Sequence, residues 1–209
     1  MLPGPGGINM MIDQHIHLVL ASASPRRRDL LSAIGVHFQI VPANIDEGVG
    51  DNESPAAHVK RLALAKARQV SEKIPDLWVL GADTIVVKDH QILGKPRDKQ
   101  EAKRMLSMLS HATHTVYTGY ALIHARQPER EKIRYVRSTV LIRRLAPKEI
   151  AAYVGTGEPM DKAGAYAVQG IGAAIVERVS GSYTNVVGLP LCEVAQDLKE
   201  LGIFDFLGS

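Results

Sequence analysis

A single cysteine, Cys192, stands among 209 residues, so neither an internal disulfide nor a thiolate metal cluster can form. A chain without oxidative staples points to a reducing compartment, the cytoplasm. Cys192 falls in an apolar, helix-like stretch and is expected to fill the core. Aromatic residues are scarce as well, with three Phe, one Trp and six Tyr, which argues against a stacking platform for single-stranded nucleic acid. Neither sign of charge dominates: 25 Lys and Arg face 22 Asp and Glu, for a formal charge of +3. That bias is too weak for a dedicated nucleic-acid binder, whose cations cluster on one face, but it suits a local cationic pocket for a small polyanion. No apolar run approaches the roughly 20 residues of a membrane helix, so no membrane partner is expected. The Gly- and Pro-rich start, Met1 to Gly7, lacks the basic n-region and apolar core of a signal peptide.

What is present is an ordinary globular composition, 45% hydrophobic and 22% charged, which excludes a disordered or fibrous chain. Residues 1–14 read as a flexible extension and residues 15–209 as one domain. His17 to Ala21 is a short buried strand. Ser24 then supplies a hydroxyl N-cap and Pro25 the first helical position, and Gly35 closes that helix. Phe38 to Val41 reads as a second strand, followed by the acidic loop of Asp46 and Glu47. Val59, Leu62, Lys66 and Val70 recur at helical spacing, which puts Lys66 on an apolar face. Trp78 to Val87 is a β-branched run interrupted by one carboxylate, Asp83. A turn at 88–91 and a helix over 99–109 follow. Two long strands, 114–125 and 132–144, pair across a charged loop at Pro128. Pro147 to Val154 reads as helix, Ala173 to Val179 as strand, and Leu189 to Leu201 as a last amphipathic helix. Interleaved helices and strands around a long hairpin predict an α/β fold with a mixed sheet.

Five segments carry candidate chemistry, and each has a plain alternative. Ser22-Ala23-Ser24-Pro25-Arg26-Arg27 leads a strand into a helix N-terminus, where free N–H groups, two hydroxyls and two guanidinium forks suit a phosphate. The same residues also describe a capped surface helix. Asp83, with Thr84 beside it, interrupts an apolar strand. An ionised carboxylate there must be paired, metal-bound or exposed at a cleft, or else bond backbone amides at a bend. Glu47 and Asp46 are of the type that holds Mg²⁺ or Mn²⁺ beside substrate phosphates, though an acidic loop is more often simply solvated. Lys66 needs a partner or must snorkel, and Lys95, between Gly94 and Pro96, sits on a stiff exposed turn; both suit phosphate. Asp161-Lys162-Ala163-Gly164-Ala165-Tyr166, with Gln169-Gly170, combines small residues for close backbone approach with a Gln side chain that can donate and accept, as reading a base edge requires; it is equally a turn.

In this order the segments resemble the Maf family of nucleotide pyrophosphatases. The matching stretches are Leu20 to Arg27, Gly81 to Val86, Gly94-Lys95-Pro96, Tyr117-Thr118-Gly119, Asp161 to Gly164, and Gly181-Ser182-Tyr183 through Asn185 to Pro190. The similarity extends from Leu18 to about Leu201. It implies an elongated fold of two lobes around a deep cleft, similar to inosine-triphosphate pyrophosphatases, together with a homodimer and a divalent cation (Mg²⁺, Mn²⁺ or Co²⁺). By position, Asp83 matches the family's proton acceptor and Glu47 its metal carboxylate, with Asp83 sharing the metal and Lys95 counted with them as catalytic. Ser22, Ser24, Arg26, Arg27, Lys66, Thr84, Lys162 and Gln169 match substrate contacts. Arg26 after Pro25, Thr84 after Asp83 and Gln169 before Gly170 resemble the branch cleaving dTTP and UTP; the branch acting on 7-methyl-GTP carries an aromatic residue, Gln and Glu there.

The implied reaction is metal-assisted attack of water on the α-phosphorus, releasing a monophosphate and pyrophosphate. Two rivals stand beside it. Asp13-Gln14-His15-Ile16-His17 superficially matches the Asp-x-His-x-His motif of amidohydrolases, yet it precedes the first strand, and the chain is shorter than the roughly 250 residues of a (β/α)₈ barrel. The other is a non-catalytic nucleic-acid-binding or cell-division regulator of Maf type.

Overall fold

The computed structural model describes residues 17–205. The expected extension at 1–14, and Asp13 and His15 of the amidohydrolase-like motif, lie outside them. Seven strands form one mixed sheet: β1 (Leu18–Leu20), β2 (Phe38–Ile40), β3 (Trp78–Lys88), β4 (Gln91–Leu93), β5 (Thr113–Ile123), β6 (Lys132–Ile142) and β7 (Val176–Ser180). Their order is β2-β1-β3-β5-β6-β7, with β4 added to the far end of β3. The β2–β1 and β1–β3 pairs are parallel, and every other pairing is antiparallel. The helices are α1 (Pro25–Ala33), α2 (Pro55–Ser71), α3 (Lys99–Leu109), α4 (Pro147–Gly155), α5 (Tyr183–Val187) and α6 (Leu191–Glu200).

Side-chain alternation divides the core. Leu18 and Leu20 of β1, with Trp78, Leu80 and Ala82 of β3, point to one face and pack with Leu31 of α1 and Val194 and Leu198 of α6. Val19 and Val79 point to the other and meet Ala63, Ala67 and Val70 of α2. A third core lies toward the other end of β3, where Val86, Val116 and Val140 pack against Met105 and Leu106 of α3 and Ile150 and Val154 of α4.

Two glycines press α2 onto the sheet. A Cβ on Gly81 would stand 2.2 Å from the Ala63 carbonyl oxygen, and one on Gly119 would stand 2.4 Å from the Val59 carbonyl. Gly119 lies directly opposite Asp83 in the β3–β5 ladder, and Gly81 is two residues before it on the same face. The helix therefore approaches β3 closely at the point where the sheet carries its carboxylate.

The sheet has a gap at that same place. β1 pairs with β3 only as far as Leu80, and β4 joins β3 from Val86 onward, so residues 81–85 have no strand neighbour on that side. The opening lies beyond the carboxyl end of a parallel strand, where ligands of open α/β sheets are bound.

Several sequence expectations need correction. Cys192 is exposed, because α6 turns Val194, Ala195 and Leu198 inward and residue 192 outward. Ser24 stands at the N-cap of α1, but its hydroxyl caps nothing; its backbone N–H instead donates to Ser22 Oγ. Strand β7 begins at Val176 rather than 173, since Gly170–Ala174 coils into a 3₁₀ turn. The short helix α5 has no counterpart among the predicted elements.

Candidate active site

The gap opens into a cavity of about 680 Å³. Ser22, Ser24, Arg26, Arg27, Glu47, Lys66, Asp83, Thr84, Lys95, Lys162 and Gln169 all line it, whereas Asp46 does not and instead accepts from the Gly48 N–H at 3.0 Å. Five basic side chains and three carboxylates, Asp161 included, share its wall. The balance is cationic, as a triphosphate requires.

Lys66 is the hinge of the charged end. It is 8% exposed, and its ammonium stands 2.7 Å from Asp83 Oδ1 and 2.6 Å from Glu47 Oε1. Helix α2 carries Lys66 to Asp83 because Gly81 and Gly119 let it in. The two carboxylates thus face each other across one cation. A pair of carboxylates suits Mg²⁺ or Mn²⁺ whose remaining positions go to phosphate oxygens and water. Among the described residues, no group of three His, Cys, Asp or Glu forms a closed metal site. Oδ2 of Asp83 takes no protein hydrogen bond among the described residues, which leaves it free to face a water.

The loop bearing Glu47 is clasped to the start of α2. Glu53 accepts from Arg61 Nε at 2.6 Å, from Arg61 Nη2 at 2.8 Å and from the Gly50 N–H at 3.1 Å; it also lies 2.8 Å from His58 Nδ1. Arg61 donates in turn to the Gly48 carbonyl at 2.8 Å. The Arg61 guanidinium holds the Glu53 carboxyl well below the usual carboxylate range. His58 lines the cavity and was not singled out in the sequence, although positions 58, 62 and 66 share one helical face.

Arg27 is buried, and much of its guanidinium is already engaged: Nε donates to the Gly188 carbonyl at 2.8 Å, Nη1 to Ser22 Oγ at 3.1 Å and Nη2 to Thr84 Oγ1 at 3.0 Å. It ties the β1–α1 loop to β3 and to the α5–α6 turn. Burial lowers its pKa from the ordinary arginine value, against the opposing pull of Asp83. Thr84 Oγ1 also meets Thr118 Oγ1 at 2.9 Å. Arg27 and Thr84 thus serve the frame as well as the cavity wall.

Across the opening, Asp161 pairs with Arg26 at 3.3 Å and with the neighbouring Lys162. Partial burial would raise the Asp161 pKa, but the two cations outweigh it and hold the group below its usual value. Beyond lies an apolar end formed by Val86, Ile92, Tyr166, Ala167 and Val168, with Gln169 at its edge. The ring of Tyr166 is fixed edge-to-face on His114, whose Nε2 lies 2.7 Å from the hydroxyl. The Lys66 cluster at one end and a small apolar slot with an amide at the other suit the two halves of a nucleotide.

The chain is similar to known proteins over most of its length. The family model described as Maf-like protein matches residues 17–201. A dTTP/UTP pyrophosphatase of Moorella thermoacetica is 54% identical over 187 residues, covering 89% of this chain and 95% of that one. A dTTP/UTP pyrophosphatase of Syntrophus aciditrophicus is 48% identical, covering 92% and 93%. Among solved structures, a HAM1 protein from Coxiella burnetii overlays with a TM-score of 0.49 at 17% identity, covering 88% of this chain and 99% of that one.

Proposed function

The chain belongs to the Maf family, and from that membership and the cavity we infer that it hydrolyses dTTP and UTP to the monophosphate and pyrophosphate. The observation that carries the reading is Lys66 held between Glu47 and Asp83, at the cationic end of a cavity whose other end suits a base. The triphosphate lies with its charge among Arg26, Lys66, Lys95 and Lys162 and against the Ser22–Ser24 loop. The base enters the slot beside Tyr166, where Gln169 reads its polar edge.

Glu47 and Asp83 would hold a divalent cation, which neutralises charge on the phosphate oxygens and the leaving pyrophosphate when bound. Asp83 orients a water through Oδ2 and takes its proton as the water oxygen bonds to the α-phosphorus. The bond to the bridging oxygen breaks, and pyrophosphate departs with the electron pair. Lys66 holds Oδ1 of the same carboxylate, so the other oxygen stays directed at the water. Lys95 offsets charge on the departing group, and Arg27 keeps the phosphate loop in place against β3 and the Gly188 turn.

A homodimer, implied by the sequence resemblance, and a cytoplasmic setting, expected from the lack of disulfides, belong to the same reading; light scattering on the purified chain tests the oligomeric state. A panel of nucleoside triphosphates, assayed for pyrophosphate release with Mg²⁺, Mn²⁺ or Co²⁺, tests the reaction. dTTP and UTP should lead the ranking. Orthophosphate in place of pyrophosphate, or a purine preference with every metal, would overturn the reading.

A further inference from the structure

Glu158 lies outside the cavity wall, yet its carboxylate is saturated by groups that shape it. Oε1 accepts from the Tyr153 hydroxyl at 2.8 Å and from the Gly172 N–H at 2.8 Å, and Oε2 accepts from the Ile171 N–H at 2.9 Å. The Tyr153 hydroxyl, having donated its proton to Glu158, accepts from the Ala167 N–H at 3.1 Å. One carboxylate and one phenol thus grip the chain on both sides of Val168 and Gln169. Gly170 completes the fit. Its φ is +69°, and a Cβ there would stand 2.5 Å from Glu158 Oε2, so the segment is folded directly onto the carboxylate. Burial alone would raise the Glu158 pKa, but its donors, led by the Gly172 N–H, hold it below the usual value.

We propose that Glu158, acting with Tyr153, is the positioning residue that sets substrate preference by fixing the 167–172 segment and with it Gln169. The inference rests on the reading of Gln169 as the base contact. Neither residue touches substrate. Their contribution is to hold an exposed side chain in one place, since an amide free to swing would offer its donor and acceptor to any base edge.

The test is Glu158→Gln. Whichever way the amide sits, its NH₂ group meets a backbone N–H, that of Ile171 or that of Gly172, and the grip opens. The KM for dTTP and UTP should rise about ten-fold with kcat nearly unchanged, and the preference for them over purine triphosphates should fall by a similar factor. Tyr153→Phe, which keeps the ring in place, should shift the ranking in the same direction by a smaller factor. Thermal unfolding of both variants separates this from loss of folded protein: a fall of kcat/KM in equal proportion for every triphosphate, tracking the unfolded fraction, would mark a merely structural role and overturn the proposal. Gln169→Ala distinguishes the two levels. Altered ranking with Gln169→Ala but an unaltered one with Glu158→Gln would sink this inference alone, whereas an unaltered ranking with Gln169→Ala would sink the base reading beneath it.

Discussion

The two ends of the cavity are held by opposite means. At the charged end, Glu47 rides on a loop without regular structure, its side chain 55% exposed and its carboxylate on Lys66; the loop is fixed by the clasp of Glu53 with Arg61 and His58. The Glu47–Lys66 and Glu53–Arg61 pairs each keep one partner in solvent or at its edge, Glu47 at 55% and Arg61 at 44% exposure, and pairs so exposed contribute little, about 0–1 kcal/mol each. At the base end, the 167–172 segment is tied through its own backbone N–H groups to Glu158 and Tyr153. Backbone held by a carboxylate cannot shift without leaving donors unsatisfied. The difference teaches where each end has to yield: a cation and a triphosphate must displace Lys66 from at least one carboxylate, whereas discrimination between bases requires an edge that does not move.

The largest expected effect lies at the charged end. Asp83→Asn keeps the size of the side chain but removes the proton acceptor, and turnover should fall by about a thousand-fold or more. Nucleotide binding, followed with a non-hydrolysable triphosphate, should change only a few-fold, because the phosphate contacts come from other residues. Equal losses in both would mean that Asp83 serves binding. Next in size, Lys66→Met leaves Asp83 and Glu47 facing each other with no cation between them; uncompensated burial of the Asp83 charge should destabilise the fold by about 3 kcal/mol. Millimolar Mn²⁺ should then raise the melting temperature more in Lys66→Met than in the unmodified chain, since the cation takes the place of the ammonium. An equal or smaller gain would argue against the two carboxylates as metal ligands.

At the base end the corresponding test is acid. His114 is buried under Tyr166, and burial, with a smaller push from Lys88, lowers its pKa to about 4. In the unfolded chain the ring takes up a proton near its ordinary pKa of about 6.5. Stability from the neutral ring is therefore complete above that pH and is lost as pH falls toward 4, by an amount on the order of 3 kcal/mol. Melting temperature measured across pH 7 to 4 should show this loss, and His114→Phe should flatten that part of the profile. An unchanged slope would mean that other groups carry it.

How legible each end is in the sequence follows from the same contrast. The charged end is written in side chains: Asp83 alone in an apolar strand, Lys66 alone on an apolar helix face, serines and arginines at a helix start. Such residues are conspicuous because burying a charge demands a partner. Strand and helix periods placed them well, and the bounds of α3 are those its pattern predicts. The base end is written in backbone contacts. Glu158 carries no signal of its own, because two of its partners are backbone N–H groups that no sequence pattern displays. Helix α5, five residues long, is too short to establish a period. Cys192 is misread for a related reason: apolar character does not reveal which face of an amphipathic helix a residue occupies. The gap between β1 and β4 depends on where pairing stops, which no single strand specifies. Gly81 and Gly119, by contrast, sit inside strands and are a readable sign of close approach.

The smallest expected effect is the sharpest test of the comparison itself. Glu53→Gln retains some hydrogen bonding but removes the charge that Arg61 grips with both Nε and Nη2. The loop would then keep the Arg61 bond to the Gly48 carbonyl and, at its other end, the two bonds between the Asn44 backbone and Gln69. Because Glu47 supplies one of the two carboxylates, Mn²⁺ affinity measured by calorimetry on the protein without nucleotide should weaken, by about three- to five-fold, corresponding to the loss of roughly 1 kcal/mol of ordering. The substrate ranking should not move, since the 167–172 segment is anchored elsewhere. If Glu53→Gln altered the preference among bases, or Glu158→Gln the affinity for Mn²⁺, the two ends would be coupled through the sheet, and the division of a yielding end from a fixed one would be wrong.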